Sequence, residues 1–143
     1  MKIQQLSIFV ENKPGHLAAP IRLLAAEGID LRALFLADAR EYGVLRMIVS
    51  DCARAVARLT AEGFVARVTE VLAIEVSDHP GGLAGVLAAL DATGTDIDYM
   101  YAFPCRNPEQ AVLLFSFADT EAAIAKLQAA GINPLASDEL LKL

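Results

Sequence analysis

Tryptophan is absent from this 143-residue sequence, only two cysteines occur, and aromatic residues make up 6% of the chain. Cys52 and Cys105 lie far apart without Cys-x-x-Cys spacing, which argues against a disulfide framework or a zinc site. Lysine and arginine total 12 against 18 aspartates and glutamates, so the net charge is -6. Nucleic acid and anionic lipid are bound by basic patches, and this acidic balance argues against both partners.

Long uncharged apolar runs are also missing, although 55% of the residues are hydrophobic. Charges such as Arg22, Asp30 and Arg46 interrupt each candidate before it reaches the roughly 18 residues of a membrane span. The sequence enters an alternating strand pattern at once, with no basic segment, apolar core and small-residue cleavage site of the secretory type. We therefore expect a cytoplasmic protein without metal or cofactor, whose partners are small molecules or proteins.

The sequence consists of two similar halves. The stretch "ENKPGHL", residues 11–17, is matched 66 residues later by "SDHPGGL", residues 77–83. The apolar residues before each turn repeat at the same offset: Leu6, Ile8 and Val10 fall on Leu72, Ile74 and Val76. After a two-residue insertion near "CRNPEQ" the offset becomes 68, and Asp51 falls on Asp119. Two copies of about seventy residues indicate a duplicated domain, because solenoids usually need three or more units.

Each half predicts the order strand, helix, strand, strand, helix, strand from its apolar periodicity and its glycine stops. This β-α-β-β-α-β order is typical of the ferredoxin-like fold, an antiparallel sheet with two helices on one face. We therefore predict an α+β protein with domains at residues 1–70 and 71–143. The last strand of the second half is predicted either at Leu135–Ser137 or in the terminal "ELLKL", residues 139–143.

The helix-free face of the predicted sheet is rich in apolar side chains: Phe9, Val44, Ile48, Val112 and Leu114. A fully solvated surface rarely carries so many, so we expect something to cover this face. The ferredoxin-like fold also leaves strand edges exposed. We therefore predict a homodimer or a larger symmetric oligomer.

The turns "NKPGHL" and "DHPGGL", each followed by "EGIDL" or "TGTDI" at the second strand, resemble those of the ACT domain, a small-molecule-binding module. Two copies that fill the chain without a catalytic domain resemble the stand-alone tandem ACT proteins. The resemblance implies two domains pairing side by side into an extended antiparallel sheet with the helices on one face. It further implies a non-catalytic regulatory protein that binds an amino acid, and a regulated enzyme as its partner.

In such proteins the ligand lies between the turn of one domain and the second strand of its neighbour. The resemblance assigns ligand contacts to Asn12 and Asp78 in the turns and to Asp30 and Asp96 at the second strands. A helix N-terminus independently suits a carboxylate, because its N–H groups are unpaired and partly positive. The predicted set is completed by the residues around these four: Lys13, Pro14, Gly15, His16, Leu17, Leu31, Pro80, Gly81, Gly82, Leu83 and Ile97.

We expect the two turns to be unequal sites. Asp78 places a negative charge where an incoming carboxylate would lie, whereas Asn12 is neutral and Lys13 is cationic. Pro20 stands where the second half has Val86, and its missing N–H is expected to delay or bend the first helix.

Plainer interpretations of the same residues stay open. Asn and Asp form Asx turns, and Pro-Gly closes loops without binding a ligand. The pair Asp96 and Asp98 fits a solvated strand start better than a catalytic carboxylate pair, and His16 fits a turn residue better than a general base. No catalytic or metal-binding residue is assigned. A small ferredoxin-like enzyme and a ligand-free protein-interaction module are the alternative functions.

Overall fold

The structure is a computed structural model that describes residues 1–37, 40–105 and 107–143. The turn in "DAREYG" and the insertion in "CRNPEQ" each include residues outside this described part. In chain order the elements are β1 (Lys2–Glu11), α1 (Ala18–Ala26), β2 (Leu31–Ala37), β3 (Tyr42–Val49), α2 (Cys52–Ala61), β4 (Ala66–Ser77), α3 (Gly82–Ala92), β5 (Tyr99–Phe103), β6 (Gln110–Ser116), α4 (Thr120–Ala129) and α5 (Ser137–Leu140).

The chain forms two compact units. The first unit comprises Gln4–Thr69, and the second comprises Met1–Ile3 together with Glu70–Leu143. The boundary at residue 70 falls inside β4, because the strand predicted at the end of the first half continues without a turn into the first strand of the second half. None of the helices in the described part of the chain is long and apolar enough to cross a membrane.

In the first unit, β1 and β2 both pair antiparallel with β3. Alternate residues of β1 and β3 point toward α1 and α2, as the period of two in a strand requires. Leu24 of α1 and Leu59 of α2 are fully buried against this sheet face. The core of the first unit is formed by Leu6, Ile8, Val10, Leu24, Ile29, Leu45, Met47, Val49, Cys52, Ala55 and Leu59. Both helices therefore cover the same face, as predicted.

The second unit repeats this arrangement. β4 and β5 pair antiparallel with β6, and α3 and α4 pack on one sheet face. Phe115 and Phe117 stack with their ring centroids 6.0 Å apart and their planes 10° from parallel. The core of the second unit is formed by Leu72, Ile74, Val76, Val86, Leu90, Phe115, Phe117, Ala123, Ile124 and Leu127. The predicted α+β class with ferredoxin-like units is confirmed.

The strand registers reproduce both offsets of the sequence repeat. Leu6 lies opposite Met47 in the first unit, and Leu72 lies opposite Phe115 in the second. The first residue of each pair is displaced by 66 and the second by 68. The pairs Phe35–Arg46 and Tyr101–Leu114 obey the same two offsets. The two-residue insertion therefore lies in the connection between β5 and β6 and leaves the pairing unchanged.

The first helix of each unit begins at a different place. The Ala19 N–H donates to the Gly15 carbonyl at 3.0 Å, and Gly85 donates to Gly81 at the same distance. The next helical bond is donated by residue 86 in α3, but its counterpart Pro20 has no N–H. As a result α1 begins at Ala18, whereas α3 begins at Gly82, which corresponds to position 16. The predicted delay of the first helix is confirmed.

The end of the second unit differs from the prediction of a final strand. No strand is found in the described residues 132–143, and neither "LAS" nor "ELLKL" forms one. The Leu135 N–H makes one backbone hydrogen bond to the Ala73 carbonyl at 2.8 Å. The chain then forms the short helix α5, whose first turn contains Asp138 and Glu139. The chain enters α5 two residues after Leu135, which leaves no room for a strand there.

Three of the five apolar residues predicted for the helix-free face are buried. Ile48 is 1% exposed, and Val112 and Leu114 are fully buried, whereas Phe9 keeps 44% of its surface exposed. The argument for a homodimer from a bare apolar face is therefore wrong at these positions. The homodimer stays a prediction, and it now depends on β2, which lies at the edge of the sheet with exposed apolar residues.

Candidate functional site

The first turn, residues 12–17, is tied to the connection that precedes β3. The Asn12 N–H donates to the Glu41 carbonyl at 2.9 Å, and the Asn12 side-chain Nδ2 donates to the Arg40 carbonyl at 3.2 Å. Asn12 thus holds the turn against the neighbouring strand connection. This structural role occupies one of the two amide hydrogens that sequence reasoning assigned to a ligand.

The first turn carries charges of both signs. Lys13 Nζ lies 2.6 Å from Glu11 Oε2, and His16 Nδ1 lies 3.7 Å from the same oxygen. The Lys13 ammonium lowers the pKa of the Glu11 carboxyl, and the Glu11 carboxylate raises the pKa of Lys13. The turn therefore presents a paired cation and anion at the surface of the first unit.

A cavity of about 390 Å³ opens beside this turn. We call it the Phe9 cavity; its lining residues are Phe9, Val10, Glu11, Gly15, His16, Ala19, Gly63, Phe64 and Val65. Three parts of the first unit meet here: the end of β1, the turn into α1, and the segment between α2 and β4. The Phe9 N–H donates to the Val65 carbonyl at 3.2 Å and so holds two of these parts together.

The residues that line the Phe9 cavity are mainly apolar. Phe9 is 44% exposed and Val65 is 56% exposed, which is unusual for large apolar side chains. The Arg67 guanidinium lies 5.8 Å from the centroid of the Phe9 ring, within range of a cation–π contact. Glu11 and His16 supply the polar groups. This combination of apolar walls with a few polar groups is typical of small-molecule sites.

A second cavity of about 330 Å³ also lies next to the first turn. Its lining is polar and charged: Glu11, Asn12, Lys13, Arg40, Glu41 and Tyr42. Glu11 contributes to both cavities, so its carboxylate lies between them. The predicted residues Asn12 and Lys13 therefore lie in this polar cavity, while Gly15 and His16 lie in the Phe9 cavity.

The four longer helices begin in two different ways. Asp51 Oδ1 accepts a hydrogen bond from the Arg54 N–H at 3.0 Å, and Asp119 Oδ1 accepts from the Ala122 N–H at 2.9 Å. These are ordinary N-caps of α2 and α4. No side chain caps α1 or α3, the two helices that follow the Pro-Gly turns. Each unit thus leaves its turn-linked helix without a side-chain cap.

The second turn is tighter than the first. Gly82 N–H donates to the His79 carbonyl at 3.0 Å, and a Cβ added to Gly82 would overlap the Ser77 carbonyl oxygen. Its counterpart His16 carries a Cβ, so the first turn is more open at this point. Leu83 packs on the core of the second unit, whereas its counterpart Leu17 is 40% exposed. Gly81 has a φ of 98°, and Gly15 one of 85°, which favours glycine at both positions.

The surface beside the second turn has a different chemistry. A cavity of about 420 Å³ is lined by Glu75, Val76, Ser77, Asn107, Glu109 and Gln110. Glu75 and Ser77 occupy the positions of Phe9 and Glu11, so an acidic residue replaces the aromatic wall. Asp78 is exposed, and its N–H donates to the Glu109 carbonyl at 3.0 Å. The surface beside the second turn therefore carries the acidic residues Glu75 and Glu109, and the effect of Asp78 on a ligand stays a prediction.

The predicted residues at the second strands have mixed surroundings. The Asp30 N–H donates to Ser50 Oγ at 2.9 Å, and the Asp30 carboxylate lies 3.8 Å from an Arg32 nitrogen. Asp96 is exposed and precedes β5, while Ile97 packs on the core of the second unit. Leu31 begins β2 and packs on the core of the first unit. Leu31 and Ile97 therefore have packing roles, whereas both aspartates have exposed carboxylates.

The remaining sequence candidates have plain structural surroundings. Asp96 and Asp98 both precede β5, which begins at Tyr99, so a shared strand face does not pair them. Within the described part of the chain, no three His, Cys, Asp or Glu side chains form a group that could hold a metal ion. Both cysteines are free thiols.

Sequence reasoning missed three parts of the Phe9 cavity: Phe9, Glu11 and residues 63–65. Phe9 was assigned to a covered sheet face, and Gly63 was used only as a helix stop. An available signal was the strand order of the ferredoxin-like fold, which places the start of the fourth strand beside the end of the first. That adjacency brings Val65 to Phe9 and completes the cavity.

Comparisons with known proteins extend these observations. The family model of the ACT domain pair matches residues 1–143. A crystal structure of a protein from Bacteroides thetaiotaomicron is similar, with 38% identity, a TM-score of 0.92, and coverage of 100% of this chain and 98% of the other. The regulatory subunit of aspartate kinase from Thermus thermophilus, in a ligand-free form, has 17% identity, a TM-score of 0.60 and coverage of 89% and 91%. That of Thermus flavus has 18% identity, a TM-score of 0.60 and coverage of 90% of each chain. No protein with a curated description matches.

Proposed function

Since the chain belongs to the ACT domain pair family, we propose that it is a non-catalytic regulatory protein that binds an amino acid at its first turn. The ACT fold typically serves ligand-binding regulation, and the likeness to aspartate kinase regulatory subunits extends to the fold. The amino acid and the site are our proposals.

The uncapped starts of α1 and α3 are the observation that carries this proposal. The same chain caps α2 and α4 with aspartate at 3.0 and 2.9 Å, so it has a standard way to satisfy a helix start. The two helices that follow the Pro-Gly turns have no such side-chain cap. In α1 the Ala19 N–H already donates to the Gly15 carbonyl and Pro20 has no N–H, so it is the partial positive charge of the uncapped helix start that favours a carboxylate. An amino-acid ligand supplies that carboxylate.

The paired charges of the first turn support a zwitterionic ligand. Lys13 can attract the carboxylate of an amino acid, and Glu11 can accept hydrogen bonds from its ammonium group. Glu11 and Lys13 already lie 2.6 Å apart, so both charges are held close to the start of α1. A zwitterion can insert with its two ends oriented by this pair. Asp30 and Asp96, with exposed carboxylates, stay predicted ligand contacts, and the regulated enzyme stays a predicted partner.

A thermal-shift panel of the twenty common amino acids, followed by calorimetry on each hit, tests the function. A ligand that binds only the native state stabilises it by about 2.7 kcal/mol at a concentration of 100 Kd. A Lys13→Gln variant should weaken binding about threefold, as expected for a partly solvated charge. Lys142→Gln is the matched control, because Lys142 is also exposed and paired with a nearby carboxylate, Asp138.

Three outcomes would contradict the proposal. The absence of any shift across the panel would favour a protein-interaction module. Consumption of a bound amino acid would favour an enzyme. Equal losses in the Lys13 and Lys142 variants would place the ligand away from the first turn.

We also propose that the first turn is the stronger site. The Asp78 carboxylate belongs to the second turn, where it would repel an incoming carboxylate. A Cβ at Gly82 would overlap the Ser77 carbonyl oxygen, so the second turn also leaves less space. An Asp78→Asn variant should therefore gain affinity at the second turn, whereas Asp98→Asn, which alters an exposed aspartate outside the turn, should not. Unchanged calorimetric stoichiometry and affinity in Asp78→Asn would contradict the role of this charge.

A further inference from the structure

We propose that the Phe9 cavity selects an amino acid with an apolar side chain, aliphatic or aromatic. This inference rests on the proposed function and adds the class of ligand. The cavity volume of about 390 Å³ lies near the lower end of the range of about 300–1,000 Å³ for small-molecule sites. A ligand of amino-acid size suits such a volume.

The lining separates two kinds of ligand group. Phe9, Phe64 and Val65 are apolar residues that line the cavity, while Glu11 and His16 are its polar lining residues. With its ammonium group at Glu11, an amino acid directs its side chain toward the apolar wall. Phe9 and Val65 are 44% and 56% exposed, so an apolar side chain would remove their surface from water, which is favourable. A charged side chain would lose hydration against the same wall without a partner.

Two glycines leave room for this ligand. Gly15 and Gly63 have φ values of 85° and 84°, and a Cβ built on either meets no atom within 4 Å. Both lie at the cavity, one in the turn and one before β4. Their backbone is therefore open to a ligand on the side where other residues carry a side chain.

The second unit serves as an internal comparison with the same fold. The offsets place Glu75 at the position of Phe9 and Asn133 at that of Val65. Both apolar wall residues are therefore polar in the second unit, although the strand pairing is equivalent. The fold does not require apolar residues at these positions. Their presence in the first unit is explained by a ligand that contacts them.

Calorimetry with leucine, phenylalanine, glycine, aspartate and lysine tests this selectivity. We expect leucine or phenylalanine to bind at least about tenfold more tightly than glycine, which shares their charged groups but lacks a side chain. Aspartate and lysine should bind no better than glycine. Equal or tighter binding of glycine, aspartate or lysine would overturn the apolar selectivity and leave the proposed function standing. Absence of binding by every one of them would overturn the apolar selectivity, and absence of binding across all twenty common amino acids would overturn both.

A pair of variants locates the selectivity. Val65→Asn, which copies the second unit, should weaken binding of leucine or phenylalanine about fivefold and leave glycine unchanged. Val68→Asn is the matched control. Val68 lies in β4, three residues after Val65, and is 45% exposed, but it is not among the residues that line the cavity. Thermal melts of both variants check that they fold equally well. Equal losses in the two variants, or an equal loss for glycine and leucine, would overturn the assignment of the apolar side chain to this cavity.

Discussion

Replacing Gly82 with alanine should destabilise the second unit. The added Cβ would overlap the carbonyl oxygen of Ser77, which is backbone at the end of β4. Gly82 is also the first residue of α3, and its N–H bonds the His79 carbonyl at 3.0 Å. Neither group can move without disturbing the turn. Because overpacking at a fixed contact costs about 1–3 kcal/mol, we expect the free energy of unfolding to fall by that amount.

Gly85→Ala is the matched control in the same helix. Gly85 is exposed, one turn further along α3, and its added Cβ would meet no atom within 4 Å. Alanine is favoured over glycine in a helix by about 0.5–1 kcal/mol, so this variant should be more stable than the parent chain. The two substitutions are chemically identical, and the helix propensity alone favours both. The contact with Ser77 is the reason that the two substitutions should change the free energy of unfolding in opposite directions.

Urea unfolding followed by circular dichroism measures both changes, and thermal melting checks them. A change of 1 kcal/mol shifts the melting temperature by about 2–4 °C in a chain of about 150 residues. A Gly82→Ala variant as stable as Gly85→Ala would refute the reasoning. It would show that the second turn relaxes easily, and the structural contrast between the two turns would lose its basis.

Three further predictions concern stability and reactivity. Hydrogen bonds from two arginines of α2 lower the pKa of the Glu27 carboxyl. The carboxylate therefore contributes its full stabilisation above its ordinary pKa of 4.5, and this stabilisation is lost as the pH falls through the lower pKa of the folded state. In urea unfolding at a series of acid pH values, the difference in stability between the parent chain and Glu27→Gln should shrink as the pH falls. Replacing Asp51 or Asp119 with alanine should each cost about 1 kcal/mol in urea unfolding, and a change near zero would contradict the capping role. Burial raises the pKa of Cys52, so iodoacetamide followed by mass spectrometry should label Cys105 first and Cys52 only on unfolding; simultaneous labelling would contradict this order.

Local patterns in the sequence were sufficient to predict most of the fold. Alternation of apolar residues at Leu6, Ile8 and Val10 identified the buried side of β1, and the same pattern 66 residues later identified that of β4. The repeat aligned Asp51 with Asp119, and each of them caps a helix, at 3.0 and 2.9 Å. Pro20 was predicted to delay α1 from the chemistry of proline alone. Each of these features depends on neighbours along the chain.

Features that depend on distant residues were predicted less well. The burial of Ile48 could not be deduced from the composition of its sheet face, because the strand pattern does not show what covers that face. The prediction of a last strand was wrong because the chain makes a backbone bond from Leu135 to Ala73 and then enters α5 two residues later. The Phe9 cavity requires residues 63–65 to lie beside β1, an adjacency between segments more than fifty positions apart.

The two halves of the chain keep the same core contacts and differ in their turn residues. Leu24 and Leu90 occupy equivalent positions and are both buried, so the helix that covers each sheet has kept its apolar contact. The turn residues have changed in charge and size instead, with His16 matched by Gly82 and Phe9 by Glu75. Because both units retain the same strand registers, these substitutions are not needed to build the fold. Because the turns differ in charge and size while the strand registers are the same, the amino-acid site proposed at the first turn does not carry over to the second, and the two turns have to be tested separately.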